Sequence, residues 1–178
     1  MSDRFFVITG GPGSGKSTLI EALAAAGFAT APEAGRAIIQ DQVMIGGRAL
    51  PWVDPALFAE LMLAADLRSY RAQSGDRVVV FDRGIPDIAG YLTLTGLPVP
   101  DHVAKACRLC RYNRRVFICP PWPEIYAADA ERKQSLEEAE RTYAAMVAIY
   151  RDYDYALIEV PRRPVAERAA FVKAAMAG

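Results

Sequence analysis

The sequence lacks several features that would mark particular classes of protein. Its 178 residues include 21 Lys plus Arg and 21 Asp plus Glu, so neither sign of charge is in excess. This balance disfavours nucleic acids and membrane surfaces as partners, because both attract strongly basic proteins. No apolar run reaches about 18 residues, and the start MSDRFFVITG does not have the pattern of a signal peptide. We therefore expect a cytoplasmic protein, with a single domain over residues 1–178.

Cysteine and histidine are also scarce. The three cysteines, Cys107, Cys110 and Cys119, are an odd number and do not make a disulfide framework. The stretch CRLC lies near His102, the one histidine of the chain. A structural zinc site needs four ligands, which commonly include a second Cys or His pair. The simpler interpretation is therefore two cysteines on one face of a helix.

The chain does contain a regular alternation of apolar strands and amphipathic helices. Hydrophobic residues make up 52% of the sequence, which is enough for a sheet that is buried on both faces. The predicted strands are RFFVIT (4–9), FATA (28–31), RVVVFD (77–82), RRVFIC (114–119) and YALIEV (155–160). This alternation predicts a doubly wound, three-layer α/β/α fold with about five parallel strands.

Residues that favour helix ends mark several of the intervening helices. Asp54 followed by Pro55 predicts the start of a long helix that Gly75 terminates. Ser135 and Glu138 form a capping-box pattern at the start of a later helix. Pro32 is suited to the first turn of a helix that follows the second strand.

The stretch GGPGSGKST matches the phosphate-loop pattern G-x-x-x-x-G-K-[ST] and stands between a predicted strand and a predicted helix. Glycines let the backbone approach a phosphate closely, and the following helix contributes the positive end of its dipole. We expect Lys16 to reach the β- and γ-phosphates and Ser17 to ligate Mg²⁺. A guanine-reading N-K-x-D or T-K-x-D motif does not occur, so ATP is favoured by default and GTP is left open. The predicted nucleotide-binding residues are Gly10, Gly11, Pro12, Gly13, Ser14, Gly15, Lys16, Ser17 and Thr18.

The strand VVVFD places Asp82 at its carboxyl end, the edge at which open α/β sheets bind ligands. An ATPase that activates water commonly has a second carboxylate next, but here Arg83 follows, and a guanidinium cannot accept a proton. The pair resembles the DR or ER pair of nucleoside and nucleotide kinases. That resemblance implies that Asp82 serves the metal and that Arg83 binds phosphate or acceptor. An arginine paired with a surface acid in an ordinary loop is the alternative.

The stretch APEAGRA places Glu33 and Arg36 three residues apart, on one face of a predicted helix. Related kinases have an acceptor-side glutamate here. The resemblance implies that Glu33 accepts the proton of an attacking hydroxyl and that Arg36 holds an anionic part of the acceptor. An acid in the first helical turn that is stabilised by the helix dipole is the alternative. Trp52 is a further candidate for stacking on the acceptor.

A polar segment around residues 122–135 follows the fourth predicted strand. Kinases of this class close such a segment as a lid, which excludes water and neutralises charge on the transferred phosphoryl group. The resemblance therefore implies a lid in which Arg132 supplies a cation. A solvated charge cluster at the start of a helix fits the same residues.

Together, four stretches resemble a family of small P-loop ATPases, often labelled AAA-type, that is related to the ribosylnicotinamide-kinase domain of NadR-type proteins. They are FFVITGGPGSGKSTLIEALAAAGF, PEAGRAIIQDQ, VVVFDRGIPDIAGYL and VFICPPWPEIYAADAERKQSLEEAERTY. The resemblance covers nearly the whole chain. The chain lacks the acidic pair and the room for a helical lid domain that ring-forming AAA machines have.

The sequence thus leads to the hypothesis of an ATP- and Mg²⁺-dependent kinase that acts on a nucleoside, a nucleotide or a related small metabolite. The catalytic candidates are Lys16, Asp82, Arg83, Arg132 and Glu33, the acceptor-binding candidates are Glu33, Arg36, Trp52 and Arg83, and the metal ligands are Ser17 and Asp82. One alternative is a nucleotide-binding switch that hydrolyses ATP or GTP slowly without a small-molecule acceptor. Another is a polynucleotide end kinase, which the neutral charge disfavours.

Overall fold

Five strands form one parallel sheet in the computed structural model, which describes residues 3–73, 75–124 and 135–177. The strands are β1 (Phe5–Gly10), β2 (Ala29–Ala31), β3 (Val79–Asp82), β4 (Arg115–Cys119) and β5 (Ala156–Glu159). They lie in the order β2-β3-β1-β4-β5, and every neighbouring pair is parallel. All five predicted strands are therefore confirmed, including the short second one.

Helices connect the strands and cover both faces of the sheet. In the described part of the chain they are α1 (Lys16–Ala25), α2 (Ala34–Ile45), α3 (Pro55–Ala72), α4 (Ile85–Leu94), α5 (Asp101–Leu109), α6 (Leu136–Asp152) and α7 (Val165–Ala177). None of these helices combines the length and the apolar character that crossing a membrane requires.

The side chains of each strand alternate between two hydrophobic cores, one on each face of the sheet. Phe5 and Val7 of β1 pack into the core that α3, α4 and α6 cover, whereas Phe6 and Ile8 pack into the core under α1 and α7. Because both faces are buried, the strands contain uninterrupted apolar runs rather than alternating ones. The predicted three-layer α/β/α fold is thus confirmed.

Two helix boundaries differ from those that the sequence predicts. Helix α2 begins at Ala34 rather than around Pro32, because the backbone of its N-cap residue Glu33 is extended (φ −60°, ψ 129°). Helix α3 ends at Ala72, before Gly75, because Gln73 has extended backbone and its side-chain amide donates to the Ser69 carbonyl at 3.1 Å.

Other predicted helix ends are confirmed. The Asp54 carboxylate caps α3 by accepting from the Leu57 amide at 3.0 Å, and Pro55 is the first helical residue. The Ser135 hydroxyl caps α6 by accepting from the Glu138 amide at 3.1 Å.

The register of the sheet brings two distant segments together at its carboxyl edge. Ile8 of β1 pairs with Asp82 of β3, and the Arg83 amide continues this ladder by donating to the Ile8 carbonyl at 3.0 Å. The glycine loop leaves β1 two residues after Ile8. Asp82 and Arg83 therefore lie beside the loop although more than sixty residues separate them from it in the sequence.

Candidate active site

The glycine loop that joins β1 to α1 is shaped by backbone conformations that other residues avoid. Gly10, Gly13 and Gly15 have positive φ values of 143°, 70° and 68°. At Gly10 a Cβ atom would also lie 2.4 Å from the carbonyl oxygen of Cys119 at the end of β4. Glycine is therefore required here both by conformation and by the close approach of β4.

Lys16, the first residue of α1, has a buried side chain that reaches back across the loop. Its ammonium group contacts the carboxylate of Asp82 and lies 3.8 Å from Oε2 of Glu33. The side chain of Asp82 is 11% exposed and lines the same cavity as the hydroxyl-bearing Ser17. The predicted proximity of Asp82 to the loop is thus confirmed in geometry.

Arg83 lies at the centre of a partly buried charge network. Its backbone has a positive φ of 70°, which is uncommon for a residue with a side chain and is a form of strain that occurs at functional sites. Its Nε donates to Glu33 Oε1 at 3.0 Å. Its Nη1 donates to the Gly10 carbonyl at 3.2 Å and to Asp87 Oδ1 at 3.2 Å. The arginine therefore ties the start of the glycine loop to residues from two other elements.

Electrostatics favours the charged forms of Arg83 and Glu33. Burial opposes the charge of Arg83, but Glu33 and Asp87 outweigh that effect and raise the pKa of the guanidinium above its ordinary value. Burial also favours the neutral form of Glu33, yet Arg83 and Lys16 together lower the pKa of its carboxyl overall. Glu33 is consequently a carboxylate at neutral pH, held ready as a hydrogen-bond acceptor.

Asp87 is a site residue that the sequence analysis missed. It lies in the first turn of α4, and its side chain is only 7% exposed. Its Oδ1 accepts from the Thr9 hydroxyl at 2.5 Å, in addition to Arg83, while Oδ2 accepts from the Tyr150 hydroxyl at 2.6 Å and the Gly84 amide at 2.9 Å. The stretch GIPD, with proline and then an acid at a helix start, was the available signal.

Asp66, on α3, was also missed. Burial and the neighbouring carboxylates of Asp87 and Glu33 raise the pKa of Asp66 to about 7, although Arg83 acts in the opposite direction. The residue lines the cavity, so its carboxyl group can change charge near neutral pH where an acceptor would bind. Its position gave no sequence signal, since an acid within a long helix is normally a solvated surface residue.

Glu33 and Arg36 both line the cavity, but the local geometry differs from the expected one. Glu33 is the N-cap of α2 rather than a helical residue, so its side chain turns back toward Arg83. Arg36 lies in the first turn of the helix and is exposed.

Two other predicted site residues, Trp52 and Arg132, are not among the described residues of this site. The Trp52 side chain is 66% exposed, and the described lining of the cavity includes its neighbour Pro51 but not Trp52 itself. Arg132 and most of the predicted lid lie outside the described residues.

The cavity that joins these groups has a volume of about 1180 Å³. One end is the glycine loop and Lys16. Away from the loop, residues of α3 and α4 line the cavity, most of them apolar, with the carboxyl groups of Asp66 and Asp87 among them. Its volume lies just above the range of about 300–1,000 Å³ that is typical of small-molecule sites. The apolar end is lined by Phe58, Met62, Ile88, Tyr91, Leu94 and Met146.

The chain belongs to the family whose model is described as an AAA domain, which matches residues 5–168. The match includes the glycine loop, the Asp82–Arg83 pair and the segment that contains Glu33. It confirms the predicted membership of a small P-loop ATPase and kinase family. A comparison with curated proteins found no match.

Solved structures of two kinases have the same fold. A deoxyadenosine kinase from M. mycoides, with the products dCMP and a flexible dCDP bound, gives a TM-score of 0.68 at 13% identity, covering 97% of this chain and 98% of that one. The same enzyme with dATP bound gives 0.61 at 14% identity over 98% and 100% of the two chains. Thymidylate kinase from Ehrlichia chaffeensis gives 0.66 at 14% identity over 99% and 100%. At this level of identity the similarity establishes the fold.

Proposed function

We propose that this protein is an ATP- and Mg²⁺-dependent phosphotransferase that phosphorylates a nucleoside, a nucleotide or a closely related metabolite. The observation that carries the proposal is the cavity itself. Its lining includes the phosphate loop, Arg83, Glu33 and an apolar chamber formed by side chains of α3 and α4, such as Phe58 and Ile88. A hydrolase needs room for water beyond the γ-phosphate, whereas a kinase needs room for an acceptor. The size and the apolar lining of the cavity support the second role.

The donor side of the proposal comprises the loop amides, Lys16, Ser17 and Asp82. The Ser17 hydroxyl and the Asp82 carboxylate are hard oxygen donors on one cavity, and Mg²⁺ in nucleotide sites is held by one or two such groups together with phosphates and water. The donor set therefore fits magnesium. When bound, Mg²⁺ would neutralise charge on the phosphate oxygens. Lys16 supplies a further cation on the same side.

The acceptor side comprises Glu33, Arg83 and Arg36. For a nucleoside acceptor, its hydroxyl attacks the γ-phosphorus, the bond from that phosphorus to the β-bridging oxygen breaks to release ADP, and the hydroxyl proton passes to the carboxylate of Glu33. Arg83 holds Glu33 in place by the 3.0 Å hydrogen bond. Arg36 is available at the cavity wall for an anionic group of the acceptor.

Two further parts of the proposal concern residues 122–135 and the chain as a whole. We propose that this segment acts as a lid and that Arg132 stabilises charge on the transferred phosphoryl group. We also propose that residues 1–178 act as one kinase-like domain.

The kinds of enzyme that share this fold support a nucleoside or nucleotide acceptor. Deoxyadenosine kinase and thymidylate kinase share the fold over nearly the whole of both chains. The apolar chamber suits the same class of acceptor, because a nucleobase has flat, weakly polar faces.

The proposal is tested by incubating the protein with γ-labelled ATP, MgCl₂ and a panel of nucleosides and nucleoside monophosphates. We expect label to move from ATP to at least one member of the panel. Tight ATP binding with slow release of labelled phosphate and no phosphorylated acceptor would instead favour the nucleotide-binding switch.

Three variants test the roles proposed for individual residues in phosphoryl transfer. Lys16→Met and Asp82→Asn are expected to abolish transfer while the circular dichroism spectrum stays unchanged. Arg132→Ala is expected to lower kcat more than ATP affinity. Retention of Mg²⁺-dependent transfer by Asp82→Asn would contradict the metal role of that residue.

A further inference from the structure

Arg168, on the C-terminal helix α7, contacts the phosphate loop but is not part of the described lining of the cavity. Its side chain is buried, with the residue 3% exposed. Its Nη1 donates to the Gly15 carbonyl at 2.9 Å, and its Nη2 donates to the Ser14 carbonyl at 2.9 Å. A residue 153 positions away along the chain is thus hydrogen-bonded to two consecutive peptides of the loop.

These two bonds help to set the direction of the loop amides, together with the Leu19 amide of α1, which also donates to the Gly15 carbonyl at 3.3 Å. A trans peptide is planar, and its C=O and N–H groups point in opposite directions. The Ser14 carbonyl shares a peptide with the Gly15 amide, and the Gly15 carbonyl shares one with the Lys16 amide. Because both carbonyls point at Arg168, both amides point away from it, and Gly15 and Lys16 line the cavity. Hydrogen bonding at the carbonyl also polarises the peptide and strengthens its N–H as a donor.

The surroundings of Arg168 show that its charge serves the loop rather than a local ion pair. In the part of the chain that the structure describes, no carboxylate lies within ion-pair distance of it. Its Nη2 also lies 3.2 Å from the sulfur of Cys119. Burial raises the pKa of the Cys119 thiol to about 11 despite the opposing effect of Arg168, so that the sulfur is neutral at pH 7. The guanidinium group lies 5.5 Å from the centre of the Trp122 ring.

We propose that Arg168 is a positioning residue for phosphate binding, which holds the Gly15 and Lys16 amides toward a polyphosphate and places a buried cation behind them. The proposal rests on the proposed function only in taking the glycine loop as the phosphate site. It does not depend on the acceptor or on transfer.

Arg168→Met and Arg168→Lys test this role through the binding of inorganic tripolyphosphate and of ATP, measured by titration calorimetry. We expect Arg168→Met to raise the Kd for both ligands roughly 10-fold to 100-fold, by analogy with the loss of metal affinity when groups that orient metal ligands are removed. Arg168→Lys keeps the charge but cannot bridge two carbonyls, so we expect a smaller rise. Lys173→Met, an exposed cation on the same helix, is the matched control and should bind like the wild type.

The titration separates positioning from folding. A purely structural role would lower the fraction of protein competent to bind, and hence the stoichiometry, without changing the Kd of the remainder. That outcome, or an unchanged Kd in a folded variant, overturns the proposal. Should Arg168→Met fail to fold, Arg168→Lys decides on the same criterion. Failure of the wild type to bind tripolyphosphate also overturns it, whereas tripolyphosphate binding without transfer contradicts only the kinase proposal.

Discussion

The phosphate side and the acceptor side of the cavity are constructed differently. On the phosphate side, one continuous stretch of sequence forms the loop, and its backbone amides are the expected ligands. On the acceptor side, side chains from separate elements converge: Glu33 before α2, Asp66 on α3, Arg83 after β3 and Asp87 on α4. A backbone site depends on local conformation, whereas a side-chain site depends on packing and on the balance of buried charges. The two sides should therefore respond differently to substitution.

The largest effect on the acceptor side is expected from Asp87→Asn. The amide nitrogen of asparagine cannot accept hydrogen bonds, so either the pair Thr9 and Arg83 or the pair Tyr150 and Gly84 loses its acceptor. We expect the free energy of unfolding, measured by urea denaturation, to fall by about 3 kcal/mol.

Asp101→Asn is the matched control, because Asp101 is an exposed acid in the first turn of α5. It should change stability by less than about 0.5 kcal/mol. Equal stability of Asp87→Asn and the wild type would show that the four hydrogen bonds contribute little to folding.

Glu33→Gln is expected to act on turnover. Removal of a general base slows reactions by roughly 100-fold or more, so kcat should fall by that factor while ATP affinity changes by less than about threefold. Because Arg83 and Lys16 lower the pKa of Glu33, its protonation should not produce a fall in activity until the pH is below the ordinary range of glutamate.

Glu21→Gln, at an exposed position of α1, is the control for Glu33→Gln and should leave kcat unchanged. A kcat for Glu33→Gln close to the wild type would assign Glu33 to holding Arg83 rather than to proton transfer.

Asp66 should make stability depend on pH. Its pKa is about 7 in the folded protein against 3.8 ordinarily, so between these values the folded state holds a proton that the unfolded state has lost. Stability from this residue is therefore present at low pH and is lost as the pH rises toward 7. The free energy of unfolding of Asp66→Asn, measured by urea denaturation, should therefore increase relative to that of the wild type by on the order of 2 kcal/mol from pH 5 to pH 8. The size of this change follows from about 1.4 kcal/mol per pK unit.

The exposed Asp41, on α2, provides the matched comparison for Asp66. Asp41→Asn should follow the wild-type pH profile. If Asp66→Asn followed it as well, the carboxyl of Asp66 would be titrating as an ordinary surface acid.

The smallest effect is expected from Trp52→Ala. The side chain is 66% exposed and does not belong to the described lining of the cavity. We expect the KM for the acceptor to change by less than about threefold, which is within 1 kcal/mol. A tenfold rise would restore Trp52 to the acceptor site and would extend that site beyond the cavity.

The sequence predicted the position of the phosphate loop and of the Asp82–Arg83 pair beside it, but only part of the charge network around Arg83. Glycine spacing specifies the loop because positive φ angles are a local requirement, as at Gly13 and Gly15. The Asp82–Arg83 pair was recognisable because an apolar run ends there. Asp66 was not, since an acid on a helix has the same sequence appearance whether it faces solvent or a cavity, and for Asp87 the stretch GIPD indicated a helix start but not the hydrogen bonds to distant residues.

By itself, therefore, the sequence determined the strand and helix order, the phosphate loop and the acid at the sheet edge, all of which follow from short-range patterns and backbone preferences. Only the tertiary structure decided the partners of Arg83, the hydrogen bonds of Asp87 and the contact of Arg168 with the back of the loop. Apart from the local bonds of Asp87 to Arg83 and Gly84, these contacts join residues from 50 to 154 positions apart. They arise from the parallel strand order and the packing of α7, which bring groups together at distances that no local pattern encodes.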